Sequence, residues 1–540
     1  MRFNKILLIL FLILSFQCSW AQDNRYMVFF SDKNGSPFNI TSPADFLSAK
    51  AIARRSKQNI SITESDLPVN PDYCQQLKDA GVPVYYKTRW LNGVLVQCDA
   101  SMIPTIEALG FVTSVELVAP GALLSGARVK QSNAVNNVAN TEAAYTDTQL
   151  QMLGMDKMHT DGIHGEGITI AVLDAGFPGV NSSIPFQNLI NDGRIDLSVS
   201  HDFVLNSTNV FAQNSHGTKV LSTIAALEDP QFFGGAYNAN FQLYITEYDP
   251  SEYRIEEYNW LFAAERADSA GADIISTSLG YNTFDDATMD YTQTDMDGKT
   301  AVISKAAQYV SDKGVLVVCS AGNEGADPWH IITAPADVED VLAIGNITAQ
   351  GSKSVSSSVG PTADGRIKPD LVALGTDVSL IAPDGSITLG SGTSFAAPLV
   401  AALAAGVWQK YPSLTRSELI FLLKRTASQF NNPDNSLGYG IPNYIALSNY
   451  QTTSTQVDLI TVFPNPFSST LQIRPKNPDQ VSTCRYQLTT LQGVILDDRN
   501  VEFTWLNPAW SVPVSDLAAG LYLLKIRLDT KSYTYKIVKE

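Results

Sequence analysis

Residues 390–408 read GSGTSFAAPLVAALAAGVW. Gly390 and Gly392 let the backbone approach its neighbours closely, and from Phe395 to Trp408 there is no charge and scarcely a polar atom, so the segment belongs in a core. It is shorter than the about 17–25 apolar residues of a membrane span, which predicts a buried central helix. Ser394 then stands at the helix N-terminus, where unsatisfied N–H groups and the positive end of the dipole favour a developing negative charge. Pro398 has no N–H to give the Ser394 carbonyl, so the first turn should be irregular at the serine. A serine presented in this way reads as a nucleophile.

Working outward, the stretch from about residue 145 alternates apolar strands with helical patterns. Ile168–Leu173, Phe241–Thr246, Asp273–Ser278, Val315–Ser320 and Val341–Gly345 read as strands; Glu252–Ala270 and Val302–Asp312 read as helices. That alternation predicts an α/β fold, a mostly parallel sheet with helices on both faces. Ligands bind outside the carboxyl ends of such strands. Three strand ends carry chemistry: Asp174 after ITIAVL, Ser278-Leu279-Gly280 after DIIST, and Asn323 within AGNEG after VLVVCS.

A serine nucleophile needs a base, and the base needs an orienting acid. Of the five histidines, His216 lies in NSHGT ahead of the apolar run Val220–Leu227, and so is presented at a predicted helix start as Ser394 is. His164-Gly-Glu166 matches part of a zinc-deaminase pattern, but the Cys pair is missing and no H-E-x-x-H occurs, which argues against a catalytic metal. Asp174 supplies the acid.

These residues bring the chain into a family. IAVLDAGF at 170–177, SHGTKV at 215–220 and GTSFAAP at 392–398 resemble the three motifs of the subtilisin-like serine proteases, the subtilases of peptidase family S8, in the order Asp, His, Ser. SAGNEG at 320–325 and GRIKPDLVALG at 365–375 add to the resemblance, which covers roughly residues 145 to 448. It implies Ser394 as nucleophile, His216 as general base and acid, Asp174 as its orienting carboxylate, Asn323 in the oxyanion hole, and Ser278, Leu279 and Gly280 along the substrate groove. Departures are Ala175 after the acid, Lys219 where a second histidine is common, and Phe395 after the serine where Met is frequent. The missing hydroxyl at Ala175 should weaken hydrogen bonding to Asp174. No cofactor is expected for catalysis; structural calcium is frequent among relatives, but the scattered Asp, Asn and carbonyl oxygens show no spacing that assigns its ligands here.

The flanks frame this catalytic domain, expected at 145–449. Arg2 and Lys5 before the apolar run Ile6–Phe16, with Ser19-Trp20-Ala21 as a cleavage site, read as a signal peptide over 1–21. Residues 22–118 read as a small α+β unit, with a strand at Tyr26–Phe30 and a helix at Pro43–Arg55; its ending, LNGVLVQCDASMIPTIEALGFVTSVELV, resembles the inhibitory propeptide of subtilases. Residues 119–144, rich in Ala, Asn and Ser, form a processing linker. A polar linker at 450–458 leads to a β-sandwich at 459–540, where VFPNPFSSTLQI, GLYLLKI and the terminal YKIVKE resemble sorting domains of type IX secretion in Gram-negative bacteria. Trp505 and Trp510 leave a sugar-stacking reading open for this module. Cys74 and Cys98 could pair; Cys319, inside VLVVCS, reads as an inert core residue.

A net charge of −17 over 540 residues argues against nucleic acid as a partner, since phosphate binding relies on a basic face. The expected protein is a secreted or surface-attached serine endopeptidase, exported through the periplasm, monomeric, and without a transmembrane helix in the mature form. Its partners are polypeptide substrates, its own propeptide and the secretion machinery. The competing class is a surface binding protein built on an inactive protease domain, which need not retain all of Asp174, His216, Asn323 and Ser394. An esterase would favour G-x-S-x-G, which the window GTSFA does not fit.

Overall fold

The structure is a computed structural model describing residues 23–121, 144–453, 460–475, 483–491, 493–503, 509–528 and 532–540. The expected signal peptide, nearly all of the processing linker and Trp505 lie outside the described residues. Two compact units result, one through Ser448 and one from Asn449.

Seven strands form the central sheet, in the order Leu371–Leu374, Leu342–Ile347, Leu316–Ser320, Ile274–Thr277, Thr169–Asp174, Asn240–Ile245 and His201–Asp202. Every pairing in it is parallel. Such a sheet has both faces covered, and its strands are accordingly apolar throughout: Ile170 to Leu173 and Leu316 to Cys319 are all fully buried. Asp174 is the last residue of its strand instead of the first one beyond it. The edge strand Leu371–Leu374 lies within the segment read only as the approach to the serine, although its four apolar residues meet the minimum for a buried strand. The helix Thr393–Lys410 lies against the strands Ile274–Thr277, Leu316–Ser320 and Leu342–Ile347, buried from Thr393 to Trp408.

Residues 23–121 fold as a four-stranded antiparallel sheet in the order Val84–Thr88, Gly93–Cys98, Asn24–Phe30, Val112–Ala119. Successive strand residues face opposite ways. Tyr26, Val28, Val94 and Val96 point into a core shared with the sheet's own helices, whereas Met27 and Leu95 join Trp90 and Val118 in the core of the catalytic domain. Both faces are therefore covered. The helix predicted at Pro43–Arg55 is a single 3-10 turn at Pro43–Asp45 followed by Ala49–Lys57, whose N-cap Ser48 accepts from the Ala51 N–H. A further helix, Pro71–Asp79, was not legible, although Asn70 and Pro71 form its cap. Cys74 and Cys98 do not pair; both are free thiols in this core, as Cys319 is in the central strand.

The long helix Ile255–Ala270 sits between the parallel sheet and the N-terminal sheet, which buries its acidic side chains as well as its apolar ones. Asp268 receives three guanidinium groups: Arg54 at 2.5 Å, Arg55 at 2.8 Å and Arg89 at 2.6 Å. Pairing also runs the other way, because Lys313 of the catalytic domain reaches Asp66 at 3.1 Å, and Asp66 binds Arg55 at 2.9 Å. Burial alone would push the Asp66 carboxyl up, but the Thr63 N–H, Lys313 and Arg55 more than offset it and hold it below the usual carboxylate range. Glu265, pushed up by burial, accepts from the Thr88 hydroxyl at 2.6 Å and from the Arg89 and Trp90 N–H groups.

The second unit, taken by itself, has a sheet ordered Ile460–Phe463, Leu471–Pro475, Trp510–Val512 and another ordered Ile495–Glu502, Thr483–Thr490, Gly520–Arg527, Ser532–Lys539, around one core containing Phe467, Tyr486, Leu524 and Ile537. The expected linker at 450–458 begins inside a helix, Tyr444–Thr453, which Asn443 starts by accepting from the N–H groups of Ile445 and Ala446. No helix among the described residues is long and apolar enough to cross a membrane.

Candidate active site

Ser394 is the second residue of the buried helix, and Pro398 stands four residues on. Proline has no N–H, so the Ser394 carbonyl loses its helical partner. The Ser278 hydroxyl replaces that partner, donating to the Ser394 carbonyl at 2.7 Å, while the Ser394 hydroxyl faces the Ser278 carbonyl at 3.4 Å. Ser278, expected along the substrate groove, therefore uses its hydroxyl to fix the turn that carries the serine. Replacing Ser278 by alanine should leave a buried carbonyl unpaired, lowering stability by about 1–3 kcal/mol and kcat more than KM. A thermal melt with steady-state kinetics checks this; an unchanged Tm would mean that another donor holds the turn.

Asp174 is fully buried, and its Oδ1 accepts from His216 Nδ1 at 2.8 Å and from the Ala175 N–H at 2.7 Å. His216 opens the helix His216–Ala225, where its N–H donates to Asn214 Oδ1 at 2.8 Å. Gly217 is needed for the approach: a Cβ there would come within 2.5 Å of the Gly176 carbonyl and 2.9 Å of the Asp174 Cβ. The Phe395 ring packs against the imidazole, centroids 5.7 Å apart, so the aromatic departure after the serine limits how the imidazole can turn. The alanine departure leaves a different mark, since Asp174 Oδ2 is buried with no hydrogen-bond partner. A hydroxyl at position 175 is the kind of group that could have served it.

Asn323 is exposed in the loop after the strand Leu316–Ser320. Its Oδ1 accepts from the Thr393 N–H at 2.9 Å and the Thr393 hydroxyl at 3.0 Å. A backbone N–H can only donate, which settles the orientation of the amide and leaves Nδ2 as its donor end. A Cβ on Gly392 would sit 3.6–3.7 Å from the Asn323 amide and 3.8 Å from the Ser394 nitrogen, so the amide and that backbone nitrogen lie close together at the start of the serine helix. Thr393, which orients Asn323, was passed over in the sequence though it lies inside the serine motif. Leu279 is buried, its carbonyl accepting from the Ser320 hydroxyl at 3.4 Å, and Gly280 is half-buried at the end of the same stretch. Among the described residues no group of three or more His, Cys, Asp or Glu side chains could hold a metal ion.

A carboxylate and imidazole joined at 2.8 Å, with the imidazole packed on the ring of the residue that follows a helix-start serine, are parts that a serine hydrolase on a parallel sheet would use. Residues 165–440 match the Subtilase family (Peptidase S8), residues 25–136 the Peptidase S8 propeptide domain of Bacteroidota, and residues 461–540 the secretion system C-terminal sorting domain. The chain belongs to the subtilase family: it is a serine endopeptidase with a propeptide, and its sorting domain marks it for secretion or attachment to the cell surface. Subtilisin NAT of Bacillus subtilis subsp. natto is 28% identical over 301 residues, 55% of this chain and 70% of that one. Subtilisin BL of Lederbergia lenta is 29% identical over 286 residues, 53% of this chain and 92% of that one. The epidermin leader peptide processing serine protease of Staphylococcus aureus shares the fold, with a TM-score of 0.54 at 16% identity over 79% of this chain and 98% of that one.

Proposed function

We propose that this endopeptidase cuts exported or surface polypeptides through Asp174, His216 and Ser394, by way of an acyl-enzyme, and that it is made as a precursor which processes itself. The observation that carries the reading is the 2.8 Å bond from His216 Nδ1 to a fully buried Asp174, with the serine turn tied down by Ser278. With Nδ1–H engaged by the carboxylate, Nε2 is the basic nitrogen. It accepts the Ser394 proton as Oγ attacks the scissile carbonyl, and it returns that proton to the leaving amine; water then repeats the sequence on the ester. Asp174 stabilises the imidazolium formed in between. Asn323 Nδ2 and the Ser394 N–H donate to the oxyanion, and the backbone at Ser278, Leu279 and Gly280 pairs with an extended peptide. Labelling by a fluorophosphonate probe tests the reading: the mature protein should label and hydrolyse casein, and Ser394→Ala should do neither. A folded wild-type protein that takes up no probe overturns it.

The secretion machinery is the proposed partner of the C-terminal module. Deleting residues 459–540 is expected to leave protease activity intact and strand the protein inside the cell envelope, as read by fractionating a native-type host. Unchanged delivery to the outside would return the module to a binding role.

A further inference from the structure

We propose that Thr333 closes the floor of the substrate pocket beside Ser394, so that the enzyme cuts after small residues, serine and alanine foremost. This rests on the Ser394 reading given above and specifies its substrate. Two backbone stretches flank the serine: Ser278–Gly280, tied to it through the Ser278 hydroxyl, and Gly322-Asn323, tied to Thr393 through the Asn323 amide. A peptide whose carbonyl carbon lies at Ser394 Oγ, with its oxygen toward Asn323, directs the side chain of that residue between these two walls.

The space between them holds Thr333. Its N–H donates to the Ala321 carbonyl at 3.2 Å, and the next residue, Ala334, exchanges two backbone hydrogen bonds with Tyr281 at 2.9 and 3.2 Å. The segment is thus laced to both walls and cannot swing aside. A Cβ on Gly280 would lie 2.2 Å from Thr333 Oγ1; a Cβ on Gly322 would lie 3.0 Å from the same oxygen and 3.3 Å from Thr333 Cγ2. One threonine side chain therefore reaches both walls, where a glycine would leave a slot. Both walls are glycine at the point of contact, so any extra carbon on either would collide with it.

Thr333 is 2% exposed, and its Oγ1 has no hydrogen-bond partner. That oxygen lies between the two glycine walls, sealed from the groove, so the side chain acts there by its bulk. Serine and alanine side chains are short enough to stop above that floor; leucine and phenylalanine have no depth to enter. The stretch 119–144, read above as a processing linker, suits such a pocket, with seven alanines, two serines and no aromatic residue.

The test uses the mature protein and peptide substrates that differ only in the residue before the cut bond, with fluorophosphonate labelling to count active centres. Discrimination of the size that pocket contacts supply is expected, with kcat/KM for alanine and serine exceeding that for phenylalanine on the order of 10²-fold. Thr333→Gly should open the slot and raise the phenylalanine value relative to alanine. Thr333→Val, similar in volume, should keep the preference for small residues. The wild-type profile decides the matter even if Thr333→Gly does not fold. A protein that labels and cuts after phenylalanine or leucine as well as after alanine overturns the pocket assignment and leaves the catalytic serine standing. A folded protein that does not label overturns both.

Discussion

Ser394→Ala is expected to abolish casein hydrolysis and to accumulate as a precursor longer by about the propeptide, while the wild-type protein yields the short form. In subtilisin the loss of the serine costs about 10⁶-fold in turnover, and a drop of that order is expected here. The fold should survive, because the bond that secures the turn runs from the Ser278 hydroxyl to the Ser394 backbone carbonyl, whereas the Ser394 hydroxyl makes only a 3.4 Å contact. Activity assays on the folded variant, with the chain length read by mass spectrometry, check both halves. Near-normal activity would remove Ser394 from the chemistry; maturation of the variant in a protease-free preparation would show that another enzyme makes the cut.

Asn323→Ala should lower kcat on the order of 10²–10³-fold with KM little changed, the size of effect known for the oxyanion asparagine of subtilisin, since the donor acts on charge that exists only in the transition state. The structure adds a control. Asn323 also holds Thr393 through Oδ1, so alanine removes a positioning contact together with the donor. Asn323→Asp keeps an acceptor for Thr393 and removes Nδ2. If Asn323→Asp retained the rate that alanine lost, holding Thr393 would be the role of Asn323, and the oxyanion assignment would fall.

The parallel sheet was legible because strands buried on both faces read as unbroken apolar runs, and ITIAVL and VLVVCS end on the residues that the site uses. The same rule, applied to an antiparallel sheet, would have exposed the N-terminal unit's partner. Gly93 to Val96 is apolar without alternation, which signals a second covered face. Other features were out of reach for a physical reason. Pro398 announces that the Ser394 carbonyl needs an outside donor, but nothing near it in the chain says that Ser278, 116 residues away, provides one. AKAIARRSK reads as a solvated basic helix until its partner Asp268 is in place, and Asp268 in turn reads as the wet side of an amphipathic helix. Each disguises the other.

That mutual disguise bears on how the propeptide recognises its enzyme. Ionic groups regain hydration when they separate, so the cluster of Arg54, Arg55, Arg89 and Asp268 adds less to grip than its short distances suggest. It adds far more to selection. A propeptide from a sibling protease, docking with its apolar sheet face alone, would strand Asp268 and Glu265 dry and uncompensated, at about 3–5 kcal/mol for a broken buried pair. The charges therefore work as an address: they decide which N-terminal unit can cover this helix more than how tightly it does so.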